Sequence, residues 1–247
     1  ASAFRSYVSS NFDKNADGNL SAAEIAAVTE IDVYNKSISN MKGVEHFTAL
    51  QVLSCGGNSF TMLDLSKNRA LTDLYCYNSP GLNGLDVSGH SALACLDVEN
   101  CTALKWLYCY NCALTTLVVK GCAALETLDC GSNKLTSLNT GSLTALTTLN
   151  CYGNQLTALE LSKNTALITL NCSTNKLTAL DLSGNAALAY LDCHANFLTS
   201  LNLSNLEGLE HLNCSTNDLS ELNLSENTEL VLLHCDFNPL EALDLSF

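Results

Sequence analysis

The sequence repeats itself with a period of about 21 residues, and a cysteine falls at the same place in each copy. LQVLSCGGN (50–58), LTDLYCYNS (71–79), LKWLYCYNC (104–112), LTTLNCYGN (146–154), LITLNCSTN (167–175) and LEHLNCSTN (209–217) align as L-x-x-L-x-C-x-x-N, with Ser79 and Cys112 in place of the last Asn in two copies, and further copies start at Leu125, Leu188 and Leu230. A fixed period of this length describes a stack of coils, each burying its apolar side against the next. Added length then adds coils to one linear core rather than new domains.

Each period holds two half-turns. In the first, the two Leu and the Cys point inward and the residues between them point outward, the period-2 alternation of a strand. The second half, as in LTALELSKNTA (156–166), alternates in the same way and has no helical periodicity, so the back of each coil is expected to be extended or turn-like. Asn at the ninth position (Asn58, Asn133, Asn154, Asn175, Asn196, Asn217, Asn238) stands where the chain leaves the strand. A buried carboxamide there can bond backbone groups of its own turn and of the adjacent coil.

The pattern L-x-x-L-x-[L/C]-x-x-N-x-L, over roughly residues 30–247, resembles the bacterial leucine-rich repeat family, with Cys where that family usually has Leu. The resemblance implies an α/β fold of about ten coils, mostly β, with a parallel sheet on the concave face and a short helical N-terminal cap. It divides the chain into a cap (1–30) and a solenoid (31–247), with 31–50 as the first coil and Val33 where the cysteine later sits. It also implies an internalin-like architecture, a place outside the cell or on a bacterial cell surface, and a non-catalytic role in binding a protein partner, on a host or another cell surface.

One spacing breaks the rule. Cys76 and Cys109 stand farther apart than one period, whereas VENCTAL (98–104) and VKGCAAL (119–125) match at the regular spacing. About one half-turn is therefore inserted within 77–98, and it is expected to bulge from the stack.

Thirteen cysteines are present, nine of them on the ladder. Stacked strands lie ~4.8 Å apart, inside the Cα window for a disulfide. Side chains in a parallel ladder point the same way, however, and free Cys behaves as a small apolar residue, so reduced core filling is expected. Cys101 and Cys122, off the ladder at equivalent places on adjacent coils, form the best disulfide candidate. No set of cysteine and histidine pairs has zinc-finger spacing.

Ahead of the repeats, DKNADGNLSAAE (13–24) fits D-x-[DN]-x-[DN]-G-x5-E, the calcium loop of an EF-hand. In that pattern Asp13, Asn15 and Asp17 give side-chain oxygens, Asn19 gives its carbonyl, Ser21 acts through water and Glu24 closes the site; Gly18 makes the turn. Phe4, Tyr7, Val8 and Phe12 form a helical stripe before the loop, and Ile25 and Val28 follow it. A single Ca²⁺ site of structural purpose is expected. The plainer alternative is that Ser21 and Glu24 form a capping box for the second helix.

The outward strand positions include Asp73, Tyr75, Tyr77, Trp106, Tyr108, Tyr110 and Tyr152. Five of these aromatics, Tyr75, Tyr77, Trp106, Tyr108 and Tyr110, are expected to form one patch on the concave sheet. Aromatics on a rigid surface are common binding anchors, and they also stack on sugar rings, so a glycan is the alternative ligand. Against both stands the ordinary suitability of aromatics for strands.

Other classes are disfavoured. Net charge is −14, and from Leu177 onward there are eleven acids and no Lys or Arg. Nucleic acid and anionic lipid both need a basic surface. No apolar run reaches the ~18–20 residues of a membrane span. No nucleophile elbow, phosphate loop or metalloprotease motif suggests an enzyme. The start at Ala1, without Met or a signal segment, reads as a processed or trimmed N-terminus, and the last residues, up to Phe247, as an open coil edge.

Overall fold

The computed structural model describes residues 2–241; the coil edge expected at 243–247 lies outside them. The chain forms two compact units, residues 1–123 and 124–247.

The first unit opens with helix α1 (Ala3–Phe12), whose N-cap Ser2 accepts the Arg5 amide at 3.3 Å. The expected stripe faces the first coil. Phe4 and Val8 are buried, and the Phe12 and Phe47 rings lie 5.9 Å apart. After the loop comes the short helix α2 (Ala22–Ala26).

Strand β1 (Glu30–Asp32) begins the coils and pairs in parallel with β2 (Val52–Ser54). Val33 is fully buried and its amide bonds Ser54 O, as the alignment with Cys55 requires. From β3 (Asp73–Tyr75) the chain runs through β4 (Gly84–Asp86), β5 (Cys95–Asp97), β6 (Trp106–Tyr108) and β7 (Thr116–Val118).

These strands do not stack in chain order. The ladder runs β1-β2-β3-β5-β7, with Ile31, Leu53, Leu74, Leu96 and Leu117 in register. β4 pairs instead with β6, Leu85 opposite Leu107. The segment 77–98 therefore does not bulge, contrary to the expectation from spacing. Its two stretches, LNGLDV (82–87) and LACLDV (93–98), each keep the inward Leu, Leu and Val, all buried. Each adds a strand, one to each sheet. An extra half-turn fits because both sides of the coil share the same alternation. What it changes is the side on which the motif lies. Cys55 and Cys76 follow strands of the five-stranded sheet, and Cys109 follows β6 in the other.

The second unit is regular. β8 (Thr127–Asp129), β9 (Thr148–Asn150), β10 (Thr169–Asn171), β11 (Tyr190–Asp192), β12 (His211–Asn213) and β13 (Leu232–His234) form one parallel sheet. Its central Leu128, Leu149, Leu170, Leu191 and Leu212 are at most 1% exposed. Between strands the chain runs through turns, and no helix occurs among the described residues of this unit, in line with the expected extended back.

Two buried side-chain ladders tie coil to coil. Asn175 is typical of the first. Its Nδ2 donates to Cys172 O and Ser173 O of its own turn and to Cys151 O one coil earlier, at 3.0–3.1 Å, while Oδ1 accepts the Leu156 amide at 3.0 Å. Asn154, Asn196 and Asn217 repeat this arrangement. On the back of the coil Asn164, Asn185 and Asn227 each reach two carbonyls of the preceding coil.

None of the thirteen cysteines pairs in a disulfide. Cys101 and Cys122 are not bonded to each other; each donates to a carbonyl of the preceding coil, Cys76 O at 3.2 Å and Val98 O at 3.1 Å. They take over the bridging role that Asn plays on other coils. Burial pushes the Cys172 and Cys214 thiols up to about 12. Since the thiolate is the reactive form, such groups are inert. Ten of the cysteines are buried, and only Cys95, Cys112 and Cys235 are partly accessible. Alkylation of the native protein is expected to modify those three alone, and alkylation in denaturant without reductant all thirteen, as counted by mass spectrometry. Fewer than thirteen would reveal a disulfide.

Candidate functional site

The loop at 13–24 is folded by its own acids and amides. Gly18 takes φ +84°, and its amide donates to Asp13 Oδ2 at 2.9 Å. The Asp17 amide bonds Asn15 Oδ1 at 3.1 Å, and the Asn19 amide bonds Asp17 Oδ1 at 2.8 Å. Asn15 Nδ2 also donates to Asp17 Oδ2.

Glu24 is engaged by the loop backbone and by its own helix start. Its carboxylate accepts the Ser21 amide and hydroxyl, both at 2.8 Å, and the Lys14 amide at 2.7 Å. These bonds, the Ser21 amide foremost, hold its pKa down at about 2. The capping box of the plainer reading is thus formed, with Ser21 Oγ accepting the Glu24 amide in return. Among the described residues no three acids, histidines or cysteines converge as metal ligands. The donor types still suit a hard cation, and Asp13 Oδ1 is buried without a hydrogen-bond partner.

The outward aromatics fall into separate groups, not the single patch expected. Tyr75 is on β3 and Tyr77 just beyond it, both at the five-stranded sheet. Asp73 on the same strand accepts the Thr72 hydroxyl at 2.7 Å and the Tyr75 hydroxyl at 3.5 Å. Tyr77 meets Tyr34 of the first coil, ring centroids 5.4 Å apart. Tyr34 lies outside the set expected from sequence, although the alignment of Val33 with Cys55 places it one coil from Gly56 and two from Tyr77.

Trp106 and Tyr108 are on β6, with Tyr110 just past its end, on the other sheet. The physical reason is the half-turn, which sends β3 and β6 to different ladders. The Trp106 and Tyr108 rings stack at 5.5 Å and 27°. Trp106 can lie flat because its neighbour on β4 is Gly84; a Cβ there would collide with the indole. Trp106 remains 40% exposed. Tyr152 belongs to the second unit, where it covers Gly131 in the same manner.

On the outward face of the second unit, His194 Nδ1 meets Asp192 Oδ1 at 2.8 Å, and the Tyr190 and His211 rings lie 6.0 Å apart. The neighbouring positions are Asn and Ser that bond one another, as Ser173 Oγ does to Asn171 Oδ1. No helix among the described residues is long and apolar enough to cross a membrane.

No protein-family model matches the chain. Internalin J of Listeria monocytogenes is 40% identical over 65 residues, which is 26% of this chain and 7% of that protein. Among solved structures, the functional domain of Internalin J, described as including a cysteine ladder, is 36% identical with a TM-score of 0.55. The match takes in 98% of this chain and 52% of that one. The fold is a leucine-rich repeat solenoid. A leucine-rich repeat domain of a Shigella effector is 27% identical, TM-score 0.54, over 65% of this chain and 71% of the other. The present chain thus spans about half of the solved Internalin J domain and a small part of the whole protein. The shared cysteine ladder agrees with what is seen here, a column of small buried residues behind each strand.

Proposed function

We propose that this leucine-rich repeat chain is a non-catalytic module that binds a protein partner through the outer face of its sheets, outside the cell or on a bacterial cell surface. The observation that carries the reading is the exposed Trp106–Tyr108 stack, seated on Gly84 of the paired strand β4. Immobile aromatics lose little entropy on binding and supply much of the energy of protein contacts. The resemblance to Internalin J supports the location, and the concave side of the solenoid is the natural face for the partner.

Trp106→Ala removes the stack, and Gly84→Ala displaces the indole without deleting it. Both variants are expected to keep the circular dichroism spectrum and to lose capture of biotinylated host-cell surface proteins retained by the wild type. A glycan array run in parallel decides the alternative ligand. Signal there, lost in both variants, would turn the reading to carbohydrate. Binding unchanged in both variants would remove the stack from the site.

The loop at 13–24 is proposed to bind one Ca²⁺, with Asp13, Asn15, Asp17 and the Asn19 carbonyl as ligands and Glu24 joining once it leaves its capping bonds. The unpartnered Asp13 Oδ1 supports this. The ion would then brace the cap against the first coil, and binding only the folded state stabilises it. Calcium is expected to raise the melting temperature of the wild type but not of Asp13→Ala, with both alike in chelator. Identical wild-type curves with and without calcium would refute the site.

A further inference from the structure

A groove of ≈ 390 Å³ opens beside Trp106, lined among others by Met62, Asp64, Asn83, Gly84 and Asp86. The sequence explains its chemistry. Met62, Gly84 and Trp106 follow one another at equal intervals of one coil, and so do Asp64, Asp86 and Tyr108. Backbone bonds from the Asn83 amide to Thr61 O and from the Lys105 amide to Asn83 O hold the three segments side by side. One column is therefore apolar with a glycine in the middle, and the adjacent column carries two carboxylates and a phenol.

Met62 is 78% exposed, a large apolar side chain with no cover. Asp64 and Asp86 are exposed too, and each accepts a local amide, from Ser66 at 2.9 Å and from Ser88 at 2.8 Å. Neither forms an ion pair among the described residues. Lys67, the nearest cation along the chain, helps to hold the Asp64 pKa down, behind the stronger effect of the Ser66 amide, but makes no bridge to it. Two carboxylates one coil apart, without an ion-pair partner among the described residues, repel each other and attract a cation.

We propose that this groove seats a basic side chain, arginine or lysine, of the partner protein. The aliphatic stem lies along Met62, the cationic head sits over the Trp106 ring, and Asp64 and Asp86 flank it. A cation over an indole is attracted by the ring quadrupole, and nearby carboxylates reinforce that attraction. The chain's net charge of −14 steers such a partner toward it. A sugar would use the same ring, but it gains nothing from two unpaired negative charges. This inference rests on the protein-binding reading and names what the stack recognises.

Trp106 is the chain's only tryptophan, so its fluorescence reports the groove directly. The probes are an acetylated, amidated glycine–arginine–glycine peptide, the same peptide with citrulline for arginine, and chitotriose. The arginine peptide is expected to shift the emission saturably, with citrulline at least tenfold weaker. The doubly substituted protein, Asp64→Asn with Asp86→Asn, keeps an oxygen for each local amide and so should fold; it is expected to lose at least tenfold in affinity for the arginine peptide. Equal titration by citrulline, or full affinity in the double variant, would overturn the proposal, as would saturation by chitotriose alone. If the arginine peptide is silent while partner capture still depends on Trp106, only the basic occupant is wrong. If neither responds to Trp106→Ala, the protein-binding reading fails as well.

Discussion

Asn175→Leu is expected to destabilise the protein by about 3 kcal/mol, although leucine is similar in size and more apolar. The carboxamide is 7% exposed and makes four bonds, three from Nδ2 and one to Oδ1. Leucine leaves the Leu156 amide and the Cys151, Cys172 and Ser173 carbonyls without this partner, in a place water does not reach. A buried polar group stripped of its partner costs about 1–3 kcal/mol. Here the Leu156 amide is stripped outright, while the three carbonyls keep one donor each, from Asn154, Asn196 and the Gly153 amide, but lose the second. Because the bonds cross from one coil to the next, the loss falls on the interface that makes a repeat array cooperative. Urea unfolding would show it as a lower midpoint. Lys176→Ala, next in sequence and exposed, removes only a surface contact to Gln155 and serves as the control, expected within about 0.5 kcal/mol of wild type. Equal effects of the two substitutions would mean that the Asn ladder is not an interior tie.

Leu170→Ala is expected to cost about 3–4 kcal/mol. Leu170 is fully buried at the middle of β10, in register with Leu149 and Leu191. Paired strands on both sides limit how far the site can collapse around the lost atoms, so most of the cavity remains. Cys172, just beyond the strand and equally buried, sets the scale. Cys172→Ala is expected to cost only about 1–2 kcal/mol, the loss of one small apolar group. Cys172→Leu overfills the same space and is expected to cost about 1–3 kcal/mol. Reductant should leave the wild-type midpoint unchanged. A Cys172→Ala loss as large as that of Leu170→Ala, or a midpoint that falls with reductant, would contradict a ladder of free thiols serving as packing.

Much of the solenoid is legible in the sequence. Alternation within LITLNC marks which side chains turn inward, because a strand offers only two faces. The ninth-position Asn announces the turn and its bridging bonds. Val33, aligned with Cys55, locates the first coil correctly. The helical stripe of Phe4 and Val8 likewise anticipates how α1 covers the coil beneath it.

The aromatic residues show where that reading stops. Tyr75 and Trp106 lie on the outward face of the same half of their repeats, yet β3 and β6 enter different sheets. The local pattern is identical on the two sides of a coil, so no run of residues records which side it lies on. Only a count of half-turns does, and 77–98 adds one. The groove beside Trp106 is hidden for the same reason, since Met62, Asp64, Gly84 and Asp86 belong to half-turns that look like ordinary backs of coils.

The sequence by itself determined the coil, the inward faces, the turn-closing asparagines and the helical cap, because each follows from interactions within one turn of chain or from strict repetition. Tertiary structure alone decided the partner of each strand, the division of the aromatics, the capping bonds that occupy Glu24 and the carbonyls that hold the Cys101 and Cys122 thiols. Those outcomes depend on bonds to the neighbouring coil, a full repeat away along the chain, or on competition for one side chain between partners of equal local merit. Periodicity does not weigh such alternatives; geometry does.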